Sequence, residues 1–143
     1  GETTIDAVSL DATAEEAWAN VDTEGATLDA TVTATVRADR SRLSQLFENL
    51  FRNSVTYGAT EGGSAVTVTV GALPDGFYVA DDGPGIPADE REAVFETGYS
   101  GDGGTGFGLS IVERVAEAHG WSVSLTESED GGARFEFTGV EEV

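Results

Sequence analysis

A chain of 143 residues, 39 % of them hydrophobic, is long enough for one domain with a real core and leaves little room for a second. It has no Cys and one His, which excludes disulfides, thiolate metal sites and His-based zinc sites. Its formal net charge of −20 comes from 27 acidic residues against 7 basic ones, all of them Arg; so anionic a surface excludes a nucleic-acid partner held by cation–phosphate contacts and points to a salty cytoplasm, where ions screen the self-repulsion.

No apolar run approaches the roughly 20 residues of a membrane span, so no membrane contact is expected of this domain. The chain starts at Gly1 without Met, which fits a single domain, 1–143, excised from a longer parent.

In chain order, residues 4–10 read as a strand, and Thr13 before Ala14-Glu15-Glu16 reads as a helix N-cap. Alternating Thr and Val over 27–36 predict a strand or hairpin. Residues 40–57 carry the strongest helix signal. Leu43, Leu46, Phe47, Leu50, Phe51 and Val55 recur at helical spacing and form one apolar stripe. Residues 65–71 alternate Val with small polar residues, Leu73-Pro74-Asp75-Gly76 makes a turn, and 77–80 return as the second strand of a hairpin. Residues 88–95 predict a short helix and 96–105 a mobile glycine-rich loop. Residues 107–119 predict a helix closed by Gly120, followed by strands at 121–126 and 133–138 around a turn at 128–132. These proportions predict an α/β fold, a two-layer sandwich with helices on one face of the sheet.

Three patches carry the chemistry. On the long helix, Asn49 and Asn53 are i, i+4 neighbours flanking the apolar stripe, where two amides can coordinate magnesium or bond phosphate oxygens; they can equally be satisfied polar residues at a helix boundary. At the end of a strand stands Asp81-Asp82-Gly83-Pro84-Gly85-Ile86-Pro87. Its glycines allow a sharp turn and close approach to a ligand, and the Asp-x-Gly-x-Gly spacing favours Asp81 over Asp82 as the acceptor for an amine such as adenine N6; the alternative is a plain Asp-Gly turn. Third, five glycines crowd Gly101 to Leu109, which opens into a helix whose positive N-terminus suits phosphate. Gly101, Gly103 and Gly106 also fit G-x-G-x-x-G, but no strand precedes them, as a dinucleotide fold would require. The absence of Lys excludes a P-loop and a eukaryotic-type protein kinase.

The series Asn49…Asn53, DDGPGIP, VFETGYS and GGTGFGLSIV resembles, in order, the N box, first glycine box, F box and second glycine box of sensor histidine kinases. That family belongs to a wider group with gyrase B, MutL and the heat-shock chaperone ATPases, and the resemblance covers about 40–138. It implies the Bergerat-type ATP-binding fold, a mixed sheet with helices on one face and a short glycine-rich ATP lid. It implies ATP and Mg2+ as ligands, with Asn53 as the magnesium residue and Asn49 its partner one turn earlier. It implies Asp81 as the adenine aspartate in a turn shaped by Gly83 and Gly85 and followed by Ile86, and Phe95 as the F-box aromatic beneath the lid. Gly104, Thr105, Gly106, Phe107, Gly108 and Leu109 then form the phosphate-facing loop and helix start. Relatives often carry Lys near Thr56; here Arg52 is the nearby cation. Ala133 stands where Thr or Ser is common near adenine.

The implied activity is that of a protein-histidine kinase domain, cytoplasmic whether or not its parent is membrane-anchored. It would present Mg-ATP to a histidine in a separate dimerisation domain, and a response regulator would take the phosphoryl group later. The implied acceptor is not His119, which precedes Gly120-Trp121 at a helix end, as in many relatives. The resemblance leaves two other readings open. One is an ATPase of the chaperone type, which would place a general-base Glu four residues before the magnesium asparagine; that position is Asn49, and Glu48 is one residue out of register. The other is a nucleotide-sensing module without turnover.

The charge balance makes a prediction of its own. Raising KCl to about 1 M shortens the Debye length to about 3 Å and should raise the melting temperature. A flat or falling melting curve against KCl would contradict the saline reading.

Overall fold

The computed structural model describes residues 3–23, 25–30, 32–58, 66–83, 85, 86, 89, 107–129 and 131–143, with backbone alone at 56–58 and 107–108. The predicted helix at 88–95 (Asp89 apart) and the glycine-rich loop at 96–105 lie outside them.

Two sheets and three helices make up the described structure. β1 (Asp6–Ser9) leads into α1 (Leu10–Ala19), and β2 (Thr27–Asp29) and β3 (Thr35–Ala38) precede the long α2 (Arg40–Gly58). β4 (Thr67–Leu73) and β5 (Gly76–Asp81) form a hairpin, and α3 (Phe107–His119) is followed by β6 (Ser122–Glu127) and β7 (Ala133–Thr138). The main sheet has the order β2-β4-β5-β7-β6, with β2 parallel to β4 and the other pairs antiparallel.

Side chains alternate across the main sheet, as strand geometry requires. Val68, Val70, Phe77, Val79, Phe135 and Phe137 are buried in the core, while Thr67, Thr69, Tyr78, Ala80, Arg134 and Glu136 line the half-exposed opposite face. This is the predicted two-layer, mixed-sheet α/β fold. The apolar stripe of α2 faces the core, with Leu43, Leu46, Phe47, Leu50 and Phe51 buried and Val55 half-buried. Aromatic contacts then join the layers. Trp18 of α1 meets Phe51 edge-on at 5.2 Å, Phe47 meets Phe77 at 5.8 Å, and Phe77 stacks on Phe137 at 4.7 Å. Such pairs contribute about 0.5–1.5 kcal/mol beyond the area they bury.

Two sequence expectations need correction. The helix cap is Ser9, not Thr13: the Ser9 side chain accepts from Ala12 N–H, and Thr13 sits inside α1 with its hydroxyl donating to the Ser9 carbonyl at 2.7 Å. Leu10, Ala14 and Ala17 are buried at helical spacing, and that stripe draws the helix start back to Leu10. Residues 27–36 are neither one strand nor a hairpin. β2 joins the main sheet beside β4, whereas β3 pairs antiparallel with β1 in a second, two-stranded sheet. Alternation reveals a strand, but not its partner.

The start of α2 is tied to the end of α3. Asp39 precedes α2, and its carboxylate accepts from Arg42 N–H at 3.0 Å and, from the incoming chain, Thr4 N–H at 2.8 Å. Its own N–H donates to His119 Nε2 at 2.9 Å, while His119 Nδ1–H donates to the Val115 carbonyl at 2.8 Å. Both ring nitrogens are thus engaged, and the ring stacks on Trp121 at 4.2 Å. The single histidine is a structural joint.

The Thr4 N–H bond, with help from the Arg42 N–H and guanidinium, holds the Asp39 carboxyl below its ordinary value of 3.8. A depressed folded pKa means that the cap's contribution is fully present above pH 3.8 and lost as pH falls through the folded value. Asp39→Ala should therefore cost about 0.5–2 kcal/mol at pH 7, the range for a lost N-cap, and less once the pH falls through the lowered carboxyl value. Urea unfolding of both proteins across pH 2–7 checks this, and a gap that widens on acidification would contradict it.

Candidate functional site

The site is built around the end of β5, where Asp81 points into the core side of the sheet and is 9 % exposed. A buried carboxylate is costly unless its lone pairs are matched. Three donors from three elements match them. Gly83 N–H, in the turn after β5, reaches Oδ1 at 3.0 Å, and Ala133 N–H, at the start of β7, reaches the same oxygen at 3.1 Å. The Ser54 hydroxyl, from α2, donates to Oδ2 at 2.8 Å.

The main chain of Asp81 is held as well. Ser128, buried in the β6–β7 turn, donates its hydroxyl to the Asp81 carbonyl at 2.7 Å and accepts from Gly132 N–H at 2.8 Å. That turn lies against the Asp81 loop with no space to spare. A Cβ on Gly132 would fall 2.1 Å from the Asp81 carbonyl oxygen and 2.5 Å from Oδ1; one on Gly85, which has φ +80°, would fall 2.6 Å from the Gly131 carbonyl oxygen. Gly85 of the Asp-x-Gly-x-Gly motif and Gly132 of the facing turn therefore serve close backbone packing.

Asp82 points elsewhere. It is exposed, and its Oδ1 accepts from Thr67 N–H at 2.8 Å, tying the turn to the start of β4. Asp81 and Asp82 thus differ as a buried and an exposed carboxylate.

The other predicted residues divide by element. Asn53 precedes Ser54 on α2 and is half-buried; Asn49, one turn earlier, is also half-buried and donates its amide to the Gln45 carbonyl at 2.7 Å. Arg52 is exposed. Glu48 accepts from the Asn20 side chain at 3.3 Å, linking α2 to the end of α1, and from Ser44 of its own helix at 3.4 Å. Gly83, Gly85 and Ile86 follow Asp81 as expected, and Ile86 packs against the core. Leu109 is buried, so its side chain anchors the start of α3. Phe107 and Gly108 lie in the first turn of that helix, while Phe95, Gly104, Thr105 and Gly106 lie outside the described residues.

Sequence reasoning missed Ser54 and Ser128. Ser54 did carry a signal, because Phe47, Leu50 and Ser54 continue the stripe at i, i+3 and i+7, which marks a polar residue on a buried face. Ser128 carried none beyond a turn, since its burial depends on the turn folding back onto β5.

A profile of the histidine kinase-, DNA gyrase B- and HSP90-like ATPases matches residues 38–141. The chain belongs to that family. It is similar to the adaptive-response sensory kinase SasA of Nostoc sp., with 36 % identity over 113 residues, which are 72 % of this chain and 27 % of that protein. The sensor protein QseC of Escherichia coli is 42 % identical over 94 residues, 63 % of this chain and 20 % of that protein. The chain thus matches between 20 % and 30 % of the length of these curated relatives.

Among solved structures, the ATP-binding domain of PrrB from Mycobacterium tuberculosis superposes with a TM-score of 0.69 at 25 % identity, covering all of this chain and 99 % of that one. Full-length ShkA in complex with AMPPNP gives 0.75 at 25 % identity, covering all of this chain and 32 % of that one. The mycobacterial sensor histidine kinase MprB, at 22 % identity and 97 % coverage of both chains, shares the fold with a TM-score of 0.76. Within its family, the chain is a catalytic ATP-binding domain of the sensor histidine kinase type.

The packing at the site yields a sharp test. Gly132→Ala sets a methyl group against a carbonyl and a pinned carboxylate, neither of which can swing aside. It should destabilise the fold by about 1–3 kcal/mol, the usual cost of overpacking. Urea unfolding measures it, and a midpoint equal to wild type would contradict the geometry.

Proposed function

We propose that this domain binds Mg-ATP with the adenine amine on Asp81 and presents the γ-phosphate to a histidine of a separate dimerisation domain in a longer parent. The observation that carries the reading is the Asp81 carboxylate, buried and held by three donors, with acceptor capacity left on Oδ2. A carboxylate so fixed is preorganised for an amine N–H and needs no rearrangement to accept it.

In the proposed transfer, a ring nitrogen of the acceptor histidine attacks the γ-phosphorus in line. The bond from γ-phosphorus to the β–γ bridging oxygen breaks, and ADP leaves with that electron pair. Little covalent work falls to the protein, which supplies position and charge balance. Arg52 and the backbone amides of Gly104, Thr105, Gly106, Phe107 and Gly108 are the proposed phosphate contacts, and Phe95 the proposed support beneath the lid. A bound Mg2+ would neutralise phosphate charge. No trio of acidic or His side chains suited to a metal occurs among the described residues. Mg2+ keeps most of its waters and needs only one or two protein oxygens beside the phosphates, and the proposed one is that of Asn53, with Asn49 beside it.

The chaperone-type ATPase reading is weaker. Asn49, at the position a general base would need, bonds back to its own helix, and Glu48 is engaged with Asn20 and Ser44. Salt adaptation, a cytoplasmic setting and an eventual response-regulator partner complete the proposal. Among the described residues, no helix is long and apolar enough to cross a membrane.

Incubated alone with radiolabelled ATP, the chain should take up no acid-labile phosphate; with the parent's dimerisation domain added, label should appear there. Asp81→Asn should abolish that transfer, and Asp82→Asn should retain it. Label on the isolated chain, or equal activity of the two variants, would overturn the reading.

The metal assignment is tested by titrating ATP with Mg2+ and with EDTA. Asn53→Ala should lose the magnesium enhancement of affinity, and Glu48→Ala should keep it. The reverse pattern would make Glu48 the working group and favour the ATPase.

A further inference from the structure

Among the described residues, Asp81 is held by two backbone amides but by only one side chain. Ser54 projects from α2 into the core and is 4 % exposed. A serine within a helix often turns its hydroxyl back to its own i−4 carbonyl. This one donates instead to Asp81 Oδ2 at 2.8 Å, across to the end of β5. The strand on the other side offers no such hydroxyl, because Ala133 contributes only its N–H, to Oδ1.

The arrangement has a consequence for what can bind. A carboxylate has about four acceptor positions and a hydroxyl one donor and two acceptors. Gly83 and Ala133 N–H groups take both positions of Oδ1, and Ser54 takes one of Oδ2. The Ser54 proton is committed to a charged acceptor, which makes it a strong bond and a poor candidate for redirection. What remains around Oδ2 among the described residues is acceptor capacity alone: one carboxylate position and the lone pairs of the Ser54 oxygen. An exocyclic amine meets acceptors there, whereas a carbonyl oxygen would meet lone pairs with no donor to answer it.

We infer that Ser54 is a positioning residue for nucleobase recognition, fixing the Asp81 carboxylate so that the site selects a base with a 6-amino group. The inference rests on the adenine reading of Asp81 and adds to it the residue that sets selectivity. Ser128 is not equivalent, because it holds the main chain of Asp81 and leaves the carboxylate untouched.

The test measures affinity by calorimetry for ATP and for purine riboside triphosphate, which lacks the 6-amino group, on wild type, Ser54→Ala and Asp81→Asn. Ser54→Ala should weaken ATP by about three- to tenfold, the usual worth of one such bond, and leave the purine analogue unchanged. The preference for ATP should shrink by the same factor. In the Asp81→Asn background, Ser54→Ala should change neither affinity. An unchanged ATP preference in Ser54→Ala, or an equal loss of both nucleotides, would overturn the role of Ser54. If Asp81→Asn loses ATP while Ser54→Ala does not, only the Ser54 role fails. If Asp81→Asn keeps full ATP affinity, the adenine assignment itself fails.

Discussion

One buried carboxylate governs how this domain must be assembled. An ion removed from water is tolerated inside a protein only if its acceptor positions are filled with good geometry. Asp81 meets that condition only when β5 ends where it does, when α2 lies across the sheet with Ser54 inward, and when the β6–β7 turn folds back so that Ala133 N–H arrives from the neighbouring strand. Ser128 then locks the same turn to the Asp81 carbonyl, and Gly132 and Gly85 allow the chains to touch. The residue proposed to bind the base is thereby also a point at which helix, strand and turn are forced into register.

The opposite end of the helical layer is joined in a complementary way. His119 closes α3 and accepts from the N–H of Asp39, whose carboxylate caps α2 and collects the incoming chain through Thr4. These two helices carry Asn49, Arg52 and Asn53 on one and the Phe107 to Leu109 helix start on the other. Fixing the start of one to the end of the other sets their relative placement at a distance from Asp81. The aromatic contacts running from Trp18 through Phe51, Phe47 and Phe77 to Phe137 fill the space between.

Legibility in the sequence followed how local each cause was. The α2 stripe and the hairpin turn at Pro74-Asp75 are short-range patterns, and both appear as expected. That Asp81 and Asp82 stand in different surroundings was also legible, because glycine spacing reports backbone shape. Pairing was not: alternation over 27–36 marked extended chain, yet β2 and β3 entered different sheets because their partners are distant in sequence. Thr13 was misread as a cap because the decisive feature was the burial of Leu10, which depends on the core above it. Ser54 and Ser128 show the same limit at the site. Each hydroxyl finds its acceptor 27 and 47 residues away, a distance no local pattern spans.

The central claim is that the open acceptor position of Asp81 receives the base. A crystal structure of this chain with Mg2+ and a non-hydrolysable ATP analogue tests it most directly. The account predicts the 6-amino nitrogen within about 2.7–3.2 Å of Asp81 Oδ2, with the Ser54, Gly83 and Ala133 contacts retained. A nucleotide seated with its base away from Asp81, or an Asp81 carboxylate turned out of its three bonds to reach it, would contradict the account.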